Sequence, residues 1–307
     1  MAHTTTSLMN DVLASAPRHP PQAVPAQATA ARALDLRVPL TFTVPQTSKP
    51  YLESAALTGG EPRLHFLTEL RTVTVRDMRP CSQSLSLDVQ GFELRHHRSA
   101  VEDFYDDAAL RNRYDQELAA LLGALTGADR VAVFDYTRRS DGTGGAANSD
   151  GRRGPAGRVH VDYTVDSGPK RAADALGAPE LERVLGSGGR VVQVNVWRPI
   201  VGPVRRAPLA LADAASVKPE ALIATDQRFP DRVGEIYQLA YADEQRWYWA
   251  PFMRPDEVLL IKGWDSANDG RARFTPHGAF QLPLEDPGAP PRESIEARTF
   301  LIFEATA

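Results

Sequence analysis

The chain has 307 residues, 42% of them hydrophobic and 24% charged, with a formal net charge of −4 at pH 7. That balance suits a globular protein with a large core and gives no electrostatic case for nucleic acid or an anionic membrane as a partner. The single cysteine, Cys81, excludes an internal disulfide and any cysteine-based zinc cluster, and fits a reducing cytoplasm.

No apolar run reaches the roughly 18–20 residues that span a bilayer. The N-terminus lacks the basic start, apolar core and cleavage site of a signal peptide. Residues 1–35, with Pro17, Pro20, Pro21 and Pro25, read as a mobile arm carrying at most a short helix near 11–16. Residues 36–307 read as one domain.

Order is predicted to begin with strands at 38–44 and 70–79, followed by a hairpin or bulged strand over 85–95. Phe104, Leu110, Tyr114, Leu118, Leu121, Leu122 and Leu125 recur at helical spacing behind an acidic start. They predict a helix over 101–126 that stops at Gly127. A strand follows at 130–137. Residues 140–157 are rich in Gly, Asp, Asn and Arg and predict a long loop without regular structure, placed where it can cover a site. A helix near 179–185 precedes strands at 190–199, 235–241, 247–250, 258–263, 272–280 and 295–303. On the 190–199 strand, Val192, Val194 and Val196 take one face, leaving Gln193, Asn195 and Trp197 on the other. No 20–50-residue period is present. The pattern is mainly β, a barrel or double-sheet jelly roll with flanking helices.

Chemistry concentrates at Arg158-Val159-His160-Val161-Asp162-Tyr163-Thr164. Alternation puts His160 and Asp162 on one face, roughly 6–7 Å apart at the backbone, so that both heads can converge on one ion. The bland alternative is a half-buried polar pair. Two His and one carboxylate make the facial triad that holds non-haem Fe(II) with positions left open, so a distal His is required. His3 and His19 lie in the arm, His65 suits a surface or core role, and His96-His97 point to opposite faces. His277 remains, flanked by strands, with Gly278 beside it to admit a close approach. Fifteen residues later, Arg292, Ser294, Glu296 and Arg298 share one strand face. A dicarboxylate co-substrate needs a fork of donors, which guanidinium supplies; an exposed salt-bridged face is the alternative.

Five segments in order resemble one enzyme group: His160-Val161-Asp162, Asn195-Val196-Trp197-Arg198-Pro199, Lys262-Gly263-Trp264-Asp265-Ser266, Thr275-Pro276-His277-Gly278-Ala279-Phe280 and Pro291-Arg292-Glu293-Ser294-Ile295-Glu296-Ala297-Arg298. The group is the Fe(II)/2-oxoglutarate-dependent oxygenases that include the cephamycin 7α-methoxylation hydroxylase component, fungal meroterpenoid endoperoxide-forming oxygenases and gibberellin desaturase-like enzymes. The resemblance implies a double-stranded β-helix core of the jelly-roll, cupin-like kind. It implies that His160, Asp162 and His277 bind iron and that Arg292, with Ser294, holds the distal carboxylate of 2-oxoglutarate, Arg298 being the other arginine in reach. Gly278 departs from the group, where a hydroxyl residue is commoner. The implied activity is oxidation of an unactivated C–H of a small natural-product intermediate by hydroxylation, desaturation or ring formation, with Fe(II), 2-oxoglutarate and O2 as cofactors and release of succinate and CO2.

Asn195, Trp197 and Arg198 are expected to line the co-substrate pocket, with a core role for Trp197 and an Arg198–Asp265 pair as the structural alternatives. Tyr136, Tyr163 and the Arg138-Arg139 pair are expected to meet substrate, being close in sequence to the metal strand or its loop. The rivals are a cupin-type metal-dependent hydrolase or isomerase, and a non-catalytic metabolite-binding barrel. A homodimer is compatible with the sequence, which does not fix the oligomeric state.

Overall fold

Two β-sheets face each other across the site. A computed structural model describes residues 33–59, 62–148, 151–284 and 288–305. Most of the arm expected at 1–35, with its short helix, lies outside the described residues. The larger sheet has ten strands in the spatial order Leu36–Thr43, Thr68–Asp77, Trp247–Trp249, Leu209–Ala212, His277–Ala279, His160–Val161, Val233–Leu239, Leu222–Arg228, Tyr51–Glu53 and Arg63–Leu64. The smaller sheet runs Phe92–His96, Glu257–Asp265, Arg190–Pro199, Glu293–Phe303 and Arg130–Ser140. Phe92, Trp197, Leu259 and Ile261 of the smaller sheet pack against Leu209, Leu211 and Ala279 of the larger one. The result is the expected mainly β, jelly-roll architecture.

The outer face of the smaller sheet is closed by a helix. Val192, Val194, Val196, Ile295 and Ala297 meet Leu110, Tyr114, Leu118 and Leu122 there. The helix is capped by Asp106, whose carboxylate accepts from the backbone of Ala108 and Ala109. It passes through one π turn at Leu110–Tyr114 and ends at Gly127, whose φ of 72° is left-handed. The predicted start at 101 was therefore early: Asp106 supplies the cap only there.

Other boundaries also moved. The 85–95 hairpin is a turn leading into a single strand, Phe92–His96. Gly91 makes the bend at φ 85°, and a side chain there would strike the Thr275 hydroxyl. The 272–280 strand shrinks to His277–Ala279, because Thr275 spends its hydroxyl on Gly91 O, 2.9 Å away, outside any ladder. The segment after Asp162 holds a helix, Ser167–Leu176, whose polar composition hid it. Residues 140–157 are not wholly irregular: Ala146–Asn148 and Gly151–Arg153 pair as a small antiparallel ribbon. Among the described residues no helix is long and apolar enough to cross a membrane.

Candidate metal centre and anion pocket

Strand pairing brings the histidines together across 117 residues of chain. His160 lies directly opposite His277 in the larger sheet, a position where side chains on one face are neighbours. Their ring centroids are 4.8 Å apart. Each ring is fixed by a bond two residues back: His160 Nδ1 donates to Arg158 O at 2.9 Å, and His277 Nδ1 to Thr275 O at 3.0 Å. This leaves both Nε2 atoms as acceptors, the state a metal ligand needs. Asp162, just past the strand, places Oδ1 3.4 Å from His160 Nε2. One ligand atom from each of the three residues lies within 4.8 Å of the others.

The smaller sheet holds the carboxylate in place. Asn195 Nδ2 donates to Asp162 Oδ2 at 2.7 Å, and Gln193 Nε2 donates to Asn195 Oδ1 at 2.6 Å. Arg298 Nε stands 3.5 Å from Asp162 Oδ2. Burial opposes ionisation of Asp162, yet the Arg298 guanidinium and His160 hold its carboxyl well below the usual range. Burial, reinforced by the charge of His160, pushes the His277 imidazole down to about 4. The donor set is thus a carboxylate, the neutral His277 imidazole at ordinary pH, and the His160 imidazole. That set fits Fe(II), with half a coordination sphere left for other ligands.

The same cavity runs from the histidines to Arg292, past Trp197 and Leu209. Arg292 is only 2% exposed. Its Nη1 donates to Ala207 O at 2.8 Å, while Nε and Nη2 are buried without a partner. The guanidinium lies 5.8 Å from the centre of the Trp197 ring. Burial, followed by the charge of Arg139, pushes Arg292 down to about 10, so it stays a cation at neutral pH. Asp141 fixes the main chain of Arg292, accepting from its N–H at 2.6 Å, and itself takes Arg206 Nε at 2.8 Å. A buried cation with two unmet donors fits a carboxylate ligand. Arg298 does not present itself this way, since Asp135, Glu296 and Thr137 already accept from it.

Known proteins are similar to this chain over most of their length. A family model described as "YDMC: Oxidoreductase/YMDC permease-like domain" matches residues 40–302. The hydroxylase/desaturase efuI of Hormonema carpetanum is 33% identical, with 80% of this chain and 88% of that protein aligned. The Fe(II)/2-oxoglutarate-dependent dioxygenase nvfI of Aspergillus novofumigatus is 32% identical over 80% of this chain and 87% of its own. A solved structure of the iron and alpha-ketoglutarate-dependent endoperoxidase NvfI superposes with a TM-score of 0.76 at 28% identity, covering 89% of this chain and 99% of that one. The chain belongs to the Fe(II)/2-oxoglutarate-dependent dioxygenases.

Within this dioxygenase the residues singled out from sequence divide by strand face. Asn195 and Trp197 point into the site. Arg198 does not: alternation turns it with the valines toward the long helix. There it donates to Tyr114 Oη at 2.9 Å and to His97 O at 2.9 Å, making no pair with Asp265. Asp265 is instead held by Arg190 and Lys262. Tyr136 and Arg138 also face the helix side of their strand. Tyr136 donates to Asp115 of the helix, and Arg138 Nε to Phe104 O at 2.7 Å. Tyr163 is buried among Trp264, Ala172 and Phe300, and burial pushes its hydroxyl up. Ser294 is buried two residues beyond Arg292, opposite Arg139.

Sequence reasoning placed Gln193 and Glu296 on the right strand faces without giving them a role, and named Arg139 only beside Arg138 as a substrate contact. Arg139 and Glu296 line the cavity with the histidines, and the alternation that excludes Arg138 would have found Arg139. Burial, then the charge of Asp162, pushes the Glu296 carboxyl up. Gly278 has a backbone reason: a Cβ there would sit 3.1 Å from Arg158 O and 3.3 Å from Val159 Cα. The neighbouring strand thus occupies the space that a hydroxyl side chain would take.

Proposed function

We propose that this dioxygenase oxidises an unactivated C–H of a small natural-product intermediate, by hydroxylation, desaturation or ring formation. His160, Asp162 and His277 hold Fe(II), and Arg292, with Ser294 beside it, binds the distal carboxylate of 2-oxoglutarate. When bound, Fe(II) and 2-oxoglutarate supply oxygen activation, with release of succinate and CO2. The protein's own share is positioning. Arg158 O and Thr275 O orient the imidazoles, Asn195 and Gln193 orient the carboxylate, and Trp197 and Leu209 wall the co-substrate end against water. The reducing cytoplasm suggested by the lone Cys81 thiol, and a homodimer, are carried as parts of the same proposal.

The observation that carries the reading is one cavity shared by three converging ligand atoms and a buried guanidinium with two unmet donors. The relatives include a hydroxylase/desaturase and an endoperoxidase, and the natural-product class of substrate rests on that kinship. The test is anaerobic titration of the protein with Fe(II) and 2-oxoglutarate. A visible charge-transfer band at one equivalent of each is expected. Its absence at saturating ligand, or its survival unchanged in Arg292→Ala, would overturn the assignment. A metal-dependent hydrolase with the same ligands predicts that Arg292→Ala keeps full activity.

A further inference from the structure

The inner row of the smaller sheet pairs Asp135, Thr137 and Arg139 with Arg298, Glu296 and Ser294. Its first two rungs are self-contained, since Arg298 donates to Asp135, Thr137 and Glu296. The last rung is not. Arg139 stands opposite Ser294 and lines the same cavity as His160, His277 and Arg292. Among the described residues its recorded hydrogen bond is from Nη1 to Gly154 O, at 2.9 Å. A guanidinium has five N–H donors in a planar fork, so most of that fork is left over.

Two guanidiniums therefore face one small cavity, with Glu296 the acid that lines it beside them. Glu296 accepts from Arg298. The charge of Arg139 contributes to pushing Arg292 down, so the two cations are near enough to repel. One carboxylate whose oxygen is already engaged by Arg298 leaves room for an anion to complete the pairing of two guanidiniums. Gly154 belongs to the segment that also supplies Ala156 to the cavity wall, and Ala156 O accepts from Ala279 N at 2.7 Å, beside His277.

We propose that Arg139 is a second binding residue for the distal carboxylate of 2-oxoglutarate, and that through Gly154 it couples co-substrate binding to the position of the 151–157 segment. The carboxylate is gripped from two strands, with Ser294 opposite Arg139 in the ladder, while Arg139 keeps its bond to Gly154. This rests on the proposed function above.

The test uses the Fe(II)-loaded, full-length protein without oxygen, as wild type, Arg139→Gln and Arg139→Lys. Binding of 2-oxoglutarate and of 2-oxobutanoate, which lacks the distal carboxylate, is measured by calorimetry. Arg139→Gln is expected to weaken 2-oxoglutarate roughly 10- to 100-fold, the loss of a charge-assisted hydrogen bond, and to leave 2-oxobutanoate unchanged. Arg139→Lys is expected to recover part of the affinity as a point charge. Limited trypsin digestion reads the coupling, because Arg152 and Arg153 lie next to Gly154. Bound 2-oxoglutarate should protect these sites in wild type and in neither variant. Equal 2-oxoglutarate affinity in wild type and Arg139→Gln would overturn the second clamp, as would equal weakening of both keto acids. Cleavage at Arg152 and Arg153 that ignores 2-oxoglutarate in wild type would overturn the coupling. A wild type that binds no 2-oxoglutarate would sink the proposed function itself, and this inference with it.

Discussion

Two buried cationic regions of this protein look alike in sequence and differ in what surrounds them. Lys262 and Asp265 are both fully buried; Lys262 Nζ lies 2.8 Å from Asp265 Oδ2 and 2.7 Å from Asp88 Oδ1. Arg190 adds a bond from Nε to Asp265 Oδ1 at 3.0 Å. Arg292 is almost as deeply buried, yet it meets one backbone carbonyl and leaves Nε and Nη2 unpaired. A buried charge is tolerated when it is paired and its hydrogen bonds are made. The first region meets that condition within the protein and so fastens strands together. The second leaves two donors unmet within the protein, which is what the proposed co-substrate site calls for.

The comparison can be broken or sharpened by substitution. The largest effect is expected at the metal end. His277→Ala should retain no iron after gel filtration, and its 2-oxoglutarate-dependent succinate formation should fall to background; measurable iron at one equivalent would contradict the ligand set. Asp265→Ala leaves Lys262 buried with only the half-exposed Asp88, and should lower unfolding free energy in urea by about 3–5 kcal/mol. Arg292→Ala should do the opposite. Its stability should stay within about 1 kcal/mol of wild type, since few bonds are lost, while 2-oxoglutarate affinity falls on the order of 100-fold. If both substitutions destabilise equally, the distinction between a fastening cation and a binding cation fails. The smallest effect belongs to Asn195→Ala, which removes a donor from Asp162; iron affinity should fall about 10- to 100-fold with the fold intact by circular dichroism.

Much of the site was legible because its signals are local. His160 and Asp162 two apart on an extended segment, and Arg292 with Ser294, are patterns of alternation that neighbouring residues alone can specify. The long helix announced its apolar stripe in the same way. The turn at 85–91 and the shortened strand at 277–279 were misread because Gly91 and Thr275 settle each other's geometry across 184 residues, which no window of sequence contains.

By itself, then, the sequence determined the mainly β class, the motif residues and the faces of individual strands. Applied strictly, strand alternation already turned Tyr136, Arg138 and Arg198 away from the site. Tertiary structure alone decided that His277 lies opposite His160, that Gln193 and Asn195 brace Asp162 from the other sheet, and that Arg292, not Arg298, carries unmet donors. The reason is physical. Side-chain direction follows from local backbone period, whereas the partners of a buried charge come from whichever strands the fold sets beside it.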